Sequence, residues 1–132
     1  MNKIIIMTIL SSLLTLINCK SKEEKFFEEH KVIHYNTEEA KEFINNAKIK
    51  PDQAKKIQAN FAFKNNKNPE AYSFFIIDNY YAFTSQILPK RPKASVSGIW
   101  VNATTGEAKY VKENIELNSS LPYLEKGEKY PF

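Results

Sequence analysis

The sequence YSFFIIDNYYAFTSQI, residues 72–87, decides the fold of this chain. It contains two runs rich in aromatic and β-branched residues, which favour β-strands. Asp78 and Asn79 separate the two runs, and both residue types tolerate the left-handed conformations that a two-residue hairpin turn requires. We therefore predict a strand over residues 72–77, a turn, and a returning strand over residues 80–87.

Apolar side chains occur on both sides of the first of these strands. Phe74 and Ile76 share one face, and Phe75 and Ile77 share the other, because successive side chains of a strand alternate. A strand with two apolar faces is either covered on both sides or central in its sheet. We therefore expect other elements of the chain to pack on this hairpin from more than one direction.

A second hairpin is predicted downstream. Residues 98–102, GIWVN, favour a third strand, residues 103–106 a turn, and residues 107–111 a fourth strand. The side chain of Trp100 points to the opposite face from its two neighbours. We interpret Trp100 as a core residue, since large rings are mostly buried, with an exposed recognition ring as the alternative.

The segment between the two hairpins is basic, with PKRPK at residues 89–93. Two prolines oppose regular strand pairing, so we predict an exposed loop over residues 88–97. Such a loop suits contact with acidic lipid headgroups or another anionic partner, and a solvated surface loop is the alternative. Because basic and aromatic groups together favour recognition, we combine it with nearby tyrosines into a candidate binding patch. The patch comprises Lys90, Arg91, Lys93, Tyr80 and Tyr81.

Two helices are predicted before the first hairpin. One spans residues 36–47, with Asn36 as its cap and Glu39 at the third helical position, a capping-box pattern. Its apolar residues recur with helical spacing and form one stripe. The stripe comprises Ala40, Phe43, Ile44 and Ala47. The other helix begins at Pro51, because proline suits the first helical turn, and ends in the asparagine-rich residues 65–69.

The first nineteen residues form a separate unit. Lys3 precedes residues 4–17, IIIMTILSSLLTLI, which carry no charge, and the only cysteine, Cys19, follows them. A charged start, an apolar run and a processing site are typical of a secretory signal. The run is shorter than the roughly 20 apolar residues of a comfortable membrane span. A signal with an incidental cysteine and an uncleaved anchor are the alternatives.

The sequence LINC at residues 16–19 resembles the lipobox of bacterial lipoproteins. In that family the cysteine thiol receives a diacylglyceryl group, and cleavage makes this cysteine the first residue of the mature chain. Leu16 matches the apolar position of the motif, whereas Asn18 stands where Gly, Ala or Ser is usual. The resemblance implies lipidation of Cys19, with acyl chains such as palmitate, and attachment to the bacterial cell envelope, at the outer rather than the inner membrane. Two or three acyl chains would hold the protein there firmly.

These features divide the chain into four parts. We predict a signal peptide at residues 1–18, a lipidated N-terminus and spacer at 19–35, a small α+β domain at 36–117, and an irregular tail at 118–132. In the α+β domain, one or two N-terminal helices pack on an antiparallel sheet of about four strands, arranged as two consecutive hairpins.

Composition excludes several classes of function. Lysine and arginine number 19 against 15 acidic residues, a net charge of +4. Arg91 is the only arginine, so bidentate recognition of phosphates or bases is nearly absent, and we predict no nucleic-acid partner. With Cys19 acylated, no thiol remains for a disulfide, a thiolate metal site or a nucleophile.

His30 and His34 are the only histidines. On a helix their spacing would place both rings on one face, where they could bind a divalent metal. The pattern lacks the glutamate of the zinc-protease motif, and the β-branched residues between them favour a short strand, on which the rings would lie apart. Asp52 and Asp78, the only aspartates, are explained by a helix start and a turn. We therefore predict no metal, no cofactor and no enzymatic activity, with an envelope metal protein or enzyme that uses the two histidines as an alternative.

The order of elements over residues 51–111 is similar to the PepSY-like domains of bacterial exported proteins. Their late hairpin resembles V-D-A-x-T-G-E-V. The matching residues here are Val101, Asn102, Ala103, Thr105, Gly106 and Glu107. Asn102 replaces the usual Asp, and Ala108 replaces the usual Val. Small immunity-type domains end in a similar hairpin. The PepSY-like resemblance implies binding or inhibition outside the cytoplasm and brings no catalytic residues.

Taken together, the sequence predicts a lipid-anchored envelope lipoprotein. Its domain is expected to act as a non-catalytic binding or inhibitory module, with the membrane and a protein of the envelope as partners. A structural or surface-adhesion lipoprotein is the remaining alternative, because the sequence does not separate that role from a binding module.

Overall fold

The computed structural model describes residues 20–34, 37–70, 73–88 and 91–118. In these residues, three helices accompany a curled antiparallel sheet of six strands, so the predicted α+β class is confirmed. The helices are α1 (Lys22–Glu29), α2 (Glu38–Asn46) and α3 (Pro51–Lys64). The strands are β1 (Val32–His34), β2 (Ser73–Ile77), β3 (Tyr80–Leu88), β4 (Arg91–Asn102), β5 (Ala108–Val111) and β6 (Glu116–Asn118). None of these helices is long and apolar enough to cross a lipid bilayer.

The sheet has the order β1-β2-β3-β4-β5, and β6 also pairs with β4. Strand β4 is twelve residues long and organises the sheet. One of its edges pairs with β3 along its whole length, and the other pairs with β5 near one end and with β6 near the other. The predicted sheet of about four strands was therefore too small, since the three-residue strands β1 and β6 extend it.

The first predicted hairpin is present as strands β2 and β3. Asp78 and Asn79 connect β2 to β3 with φ angles of 48° and 68°. Positive φ at both central residues gives the turn a twist that matches the flanking strands. Asp78 also accepts a hydrogen bond at Oδ1 from the backbone nitrogen of Lys31, at 2.8 Å, and this bond ties the turn to the start of β1.

Both faces of the sheet are covered, as the two-sided strand predicts. Phe75, Ile76 and Ile77 are each fully buried, although they alternate between faces. The face toward α2 and α3 carries a row of aligned residues from four strands, because paired residues in an antiparallel sheet share a face. This row comprises Ile33, Ile76, Tyr81 and Val101.

The opposite face is enclosed by the curl of the sheet. Trp100 is 3 % exposed, so its prediction as a core residue is confirmed. Its indole Nε1–H donates to the backbone oxygen of Val96, four residues earlier on the same strand, at 2.9 Å. The register between β3 and β4 shifts between the pairs Thr84–Gly98 and Gln86–Ala94, and both Ala94 and Val96 in this part of β4 are buried.

The two predicted helices are present as α2 and α3. Thr37 caps α2 by accepting a hydrogen bond at Oγ1 from the backbone nitrogen of Ala40, at 3.2 Å. Thr37 is thus the N-cap in place of the predicted Asn36, which lies outside the described residues. The predicted apolar stripe packs against the sheet. Pro51 is the first residue of α3, as expected from its preference for the first helical turn.

The prediction of a basic loop is wrong for residues 91–97, which belong to β4. Pro92 is tolerated because the β3–β4 register shifts between the pairs Gln86–Ala94 and Leu88–Arg91. At such an irregularity the missing N–H of proline costs no ladder hydrogen bond. Pro89 and Lys90 lie outside the described residues.

The predicted spacer contains regular structure. Phe26 on α1 is 2 % exposed, and the ring of His30 stacks on it with centroids 4.4 Å apart. β1 follows as the short strand that the sequence suggested, and it pairs with β2. The predicted signal peptide at residues 1–18, Cys19, and residues 119–132 of the predicted tail lie outside the described residues.

Candidate functional site

A groove of about 360 Å³ lies between α2 and two turns of the sheet. One turn joins β2 to β3, and the other joins β4 to β5. The floor is apolar and the rim is polar. The floor comprises Ile33, Phe43 and Ala47, and the rim comprises Lys31, Glu39, Glu42, Asn46, Asn79 and Thr104. A concave apolar surface with a few polar groups at its edge is the usual form of a binding site.

Hydrogen bonds join the two turns that border the groove. Asn79 donates from Nδ2 to Thr104 Oγ1 at 3.0 Å, and its backbone oxygen accepts from the nitrogen of Ala103 at 2.9 Å. Within the second turn, Asn102 Oδ1 accepts from the backbone nitrogens of Thr104 and Thr105, at 2.8 and 2.9 Å. The side chains of the turns are therefore held in fixed positions before any ligand binds.

A buried tyrosine supports this network from below. The hydroxyl of Tyr81 donates to the backbone oxygen of Ile49 at 2.7 Å, and Ile49 donates its own N–H to Ala103 O at 2.8 Å. Tyr81 is fully buried, and burial raises the pKa of its hydroxyl to about 12. The sheet, the α2–α3 connection and the second turn are thus linked through one phenol, which stays protonated at neutral pH.

The α2 wall is fixed at both ends. Thr37 closes its N-terminus, as described above, and Lys50 closes its C-terminus by donating from Nζ to the backbone oxygens of Ile44 and Asn45, at 2.8 and 3.0 Å. A cation at this end also compensates the negative pole of the helix. Phe43 packs edge-on against the ring of Tyr81, with centroids 6.0 Å apart, and holds the middle of the helix on the sheet.

The rim contains charges that are not neutralised. Lys31 Nζ lies 3.2 Å from Glu39 Oε1, but the two side chains are 73 % and 58 % exposed, so their attraction is weak. Glu42 and Asn46, one and two turns further along α2, form no side-chain hydrogen bond or ion pair with the described residues. Their polar atoms are available to a ligand.

The sequence-predicted patch is not assembled at one place. Tyr81 is fully buried and offers no surface to a partner. Tyr80 pairs with Asn102, whereas Arg91 pairs with Leu88, so Tyr80 and Arg91 lie at opposite ends of the β3–β4 hairpin. Eight residues of strand separate them, or about 25 Å. For Arg91 and Lys93 only the backbone is described, and Lys90 lies outside the described residues. Tyr80 packs instead beneath Lys109, whose Nζ lies 4.3 Å from the ring centroid.

The two histidines do not converge. His30 contacts a carboxylate oxygen of Asp78 through Nδ1, whereas His34 packs edge-on against Phe75 with centroids 5.6 Å apart. Burial lowers the pKa of His34, and its Nδ1 has no hydrogen-bond partner among the described residues. Across residues 20–34, 37–70, 73–88 and 91–118, no group of three or more His, Cys, Asp or Glu side chains is placed to hold a metal ion.

The hairpin motif at residues 101–107 has a structural explanation. Asn102 builds the turn with its side-chain oxygen, a role that Asp could fill equally well. Gly106 has a φ of 75°, which favours glycine. Sequence analysis found this motif but not the groove beside it. Asn79 and Thr104 lie 25 residues apart, and no local pattern indicates that their turns meet.

No family model matches the chain, and neither a curated protein nor a solved structure matches it. The resemblances to bacterial lipoproteins and to PepSY-like domains therefore stay predictions from the sequence.

Replacing Tyr81 with phenylalanine tests the buried support of the groove. We expect Tyr81→Phe to reduce the free energy of unfolding by about 1–3 kcal/mol at pH 7, because the buried oxygen of Ile49 loses its donor. The raised pKa favours the folded state while the phenol is protonated. In the wild-type chain, stability should therefore fall as the pH rises from 10 toward 12, and the variant should lack this contribution. Urea titrations at pH 7, 10 and 11.5 measure both effects, and an equal alkaline loss in both chains would contradict the second.

Proposed function

We propose that this chain is a lipid-anchored protein of the bacterial cell envelope, and that its folded part acts by binding a polypeptide partner rather than by catalysis. The groove between α2 and the two turns is the proposed binding site. The observation that carries this proposal is the groove itself, because an apolar floor and the hydrogen-bonded turn residues Asn79 and Thr104 lower the entropic cost of binding.

The anchor part of the proposal rests on the sequence at residues 16–19. An apolar leader that ends at the chain's only cysteine is typical of lipoproteins, and the resemblance assigns the acyl chains to Cys19. The outer membrane is the proposed destination. Acyl chains contribute about 0.8 kcal/mol per buried methylene, so two or three of them would make attachment lasting.

Binding is favoured over catalysis by the roles of the ionisable groups. Asp78 holds the hairpin turn to Lys31, and Asp52 lies exposed in the first turn of α3, where its charge suits the helix dipole. His34 packs against a phenylalanine, and burial lowers its pKa. At the groove, the hydrogen bonds of Asn79 and Asn102 hold the two turns and thus have a structural role.

Replacing Cys19 with serine tests the anchor. We expect Cys19→Ser to move the protein from the membrane fraction to the soluble fraction, or to leave it as an uncleaved precursor, because serine cannot form the thioether. Intact mass spectrometry of the wild-type protein should find a chain that begins at Cys19 and carries acyl groups. An unmodified wild-type chain in the soluble fraction would contradict the proposal.

Site-specific photocrosslinking in the native host tests the binding part. A benzoylphenylalanine at Asn46, on the rim of the groove, should form an adduct with a polypeptide. The same residue at Asn60, an exposed asparagine on α3 outside the groove, is the matched control and should not form that adduct. The adduct should recur from Thr104, on the other wall. If the three positions give the same products, or none, the groove is not the binding site and the proposed function fails.

A further inference from the structure

The charge of the groove is opposite to that of the chain. The whole chain carries a net charge of +4, but the groove is lined by two carboxylates, Glu39 and Glu42, and by one ammonium, Lys31. Lys31 is engaged with Glu39, which leaves Glu42 unpaired among the described residues. A local reversal of sign on a basic protein favours a cationic ligand.

The neutral groups of the rim also favour a ligand that donates hydrogen bonds. Thr104 Oγ1 accepts from Asn79 Nδ2 and retains a second lone pair, while Asn79 Oδ1 has no hydrogen-bond donor among the described residues. Asn46 adds an amide that no described residue occupies. An ammonium or a guanidinium carries only donors, so it matches acceptors of this kind.

The floor of the groove suits an alkyl chain. Ile33, Phe43 and Ala47 present apolar surface directly beneath the rim. Lysine and arginine side chains place their methylene stems on such surfaces and keep their charged ends at a polar, solvated edge. A small inorganic cation would leave this floor uncovered.

The length of the groove fits an extended segment of polypeptide. The rim residues of α2 run from Glu39 to Asn46, seven residues or about 10 Å at 1.5 Å per residue. Three residues of an extended chain span about the same distance. One side chain of such a segment would reach the floor, while its neighbours would lie along the helix.

We propose that the groove binds an extended segment of a partner protein and takes one of its lysine or arginine side chains, with the stem on Phe43 and the cation beside Glu42. This inference rests on the proposed function and names the chemistry of its partner. The geometry also determines the sign of the ligand's charge, which is positive, because Glu42 is the only rim carboxylate in the described structure that lacks a cation.

The test uses the full acylated chain in detergent micelles, labelled with ¹⁵N, and three capped peptides. The first is acetyl-Gly-Lys-Gly-Lys-Gly-amide. The second replaces lysine with norleucine, which keeps the stem and removes the charge, and the third replaces it with glutamate. We expect the lysine peptide to shift the amide resonances of Asn79 and Thr104 and to bind at least threefold more tightly than the norleucine peptide. Putrescine, a free diamine, should bind more weakly than the lysine peptide, and equal binding would contradict a polypeptide ligand.

Charge reversal at the rim gives the sharper comparison. Glu42→Lys should weaken binding of the lysine peptide about tenfold and should improve binding of the glutamate peptide, whereas Glu42→Gln should weaken the former about threefold. Glu116→Lys is the control, since Glu116 is exposed on β6, at the far end of β4 from the two turns. Unchanged affinities in Glu42→Lys, or equal changes in Glu116→Lys, would overturn the inference.

Crosslinking separates this inference from the proposed function. If the adduct from Asn46 is lost in Glu42→Lys cells but kept in Glu116→Lys cells, the cationic contact is supported. If the adduct persists in Glu42→Lys cells, the groove binds a polypeptide through other contacts, so the inference fails and the proposed function stands. If no adduct forms at Asn46 in the wild-type host, both fail.

Discussion

Replacing Gly98 with alanine is expected to reduce the free energy of unfolding by about 3–5 kcal/mol, or to prevent folding. A Cβ atom at this position would lie 2.1 Å from the backbone oxygen of Phe83 and 3.3 Å from the Cα of Thr84. Both are backbone atoms of β3, so no side-chain rotation relieves the contact. Strands β3 and β4 would have to separate at the pair Thr84–Gly98. Small domains have only about 5–15 kcal/mol of stability to lose.

The matched control for this substitution is Gly106→Ala. Gly106 also adopts a conformation that favours glycine, but an added Cβ would meet only flexible side-chain atoms, the nearest being Ile57 Cδ1 at 3.3 Å. We expect this variant to lose about 1–2 kcal/mol through its left-handed backbone. Urea denaturation followed by far-ultraviolet circular dichroism measures both variants. If Gly106→Ala were the more damaging change, the close approach of β4 to β3 would not be what requires Gly98.

Replacing Trp100 with alanine is expected to cost about 3–5 kcal/mol, the usual range for removing a large buried ring. Trp100 is 3 % exposed on the concave face and leans against Tyr80, with centroids 6.1 Å apart. The substitution would leave a cavity inside the curl. It would also remove the donor that Trp100 Nε1 supplies to Val96 O within β4.

Two further variants divide this effect into its parts. Trp100→Phe keeps a ring but loses the N–H donor, and should cost about 1–2 kcal/mol. Tyr110→Ala removes a ring that is 46 % exposed and lies under Lys67, and should cost less than about 1 kcal/mol. A loss for Tyr110→Ala as large as that for Trp100→Ala would contradict the assignment of Trp100 to the core. Far-ultraviolet circular dichroism is again the suitable signal, because it does not depend on the single tryptophan.

The local sequence was sufficient to predict structure where a single residue type determines the backbone conformation. Asp78 and Asn79 made the first turn, Pro51 began a helix, and the spaced apolar residues of α2 faced the sheet. These features depend on short-range geometry, which a single sequence displays directly. The buried state of Trp100 followed in the same way from the size of its ring.

Sequence analysis failed where long-range pairing overrides a local preference. Proline was taken to exclude strand structure over residues 91–97, yet Pro92 is accommodated at a shift of register with β3. That register is set by partners many residues away. Strand β6, which is three residues long, carries too little sequence pattern to be recognised without its partner strand.

The candidate site was harder to predict than the fold. The proposed patch relied on residues near one another in sequence, but Tyr80 and Arg91 pair at opposite ends of a hairpin and Tyr81 points into the core. The groove is built from four separate segments, and only folding brings them together. Charge pattern gave no signal either, because Glu42 looks like any other glutamate on the surface of a helix.

The early start of α1 limits where this domain could operate. If Cys19 is acylated, as proposed, only Lys20 and Ser21 separate the lipid from the first helical residue, and two residues span no more than about 7 Å. The buried side chain of Phe26 holds that helix against the rest of the domain, so the helix does not lengthen the linker to the lipid. The linker would then be shorter than the radius of gyration of the domain, which is about 13 Å for a domain of this size, so the domain would contact the lipid headgroups. Its partners would have to be proteins anchored in the same leaflet or proteins with segments that lie close to the membrane surface. Molecules that do not approach the membrane could not reach the domain.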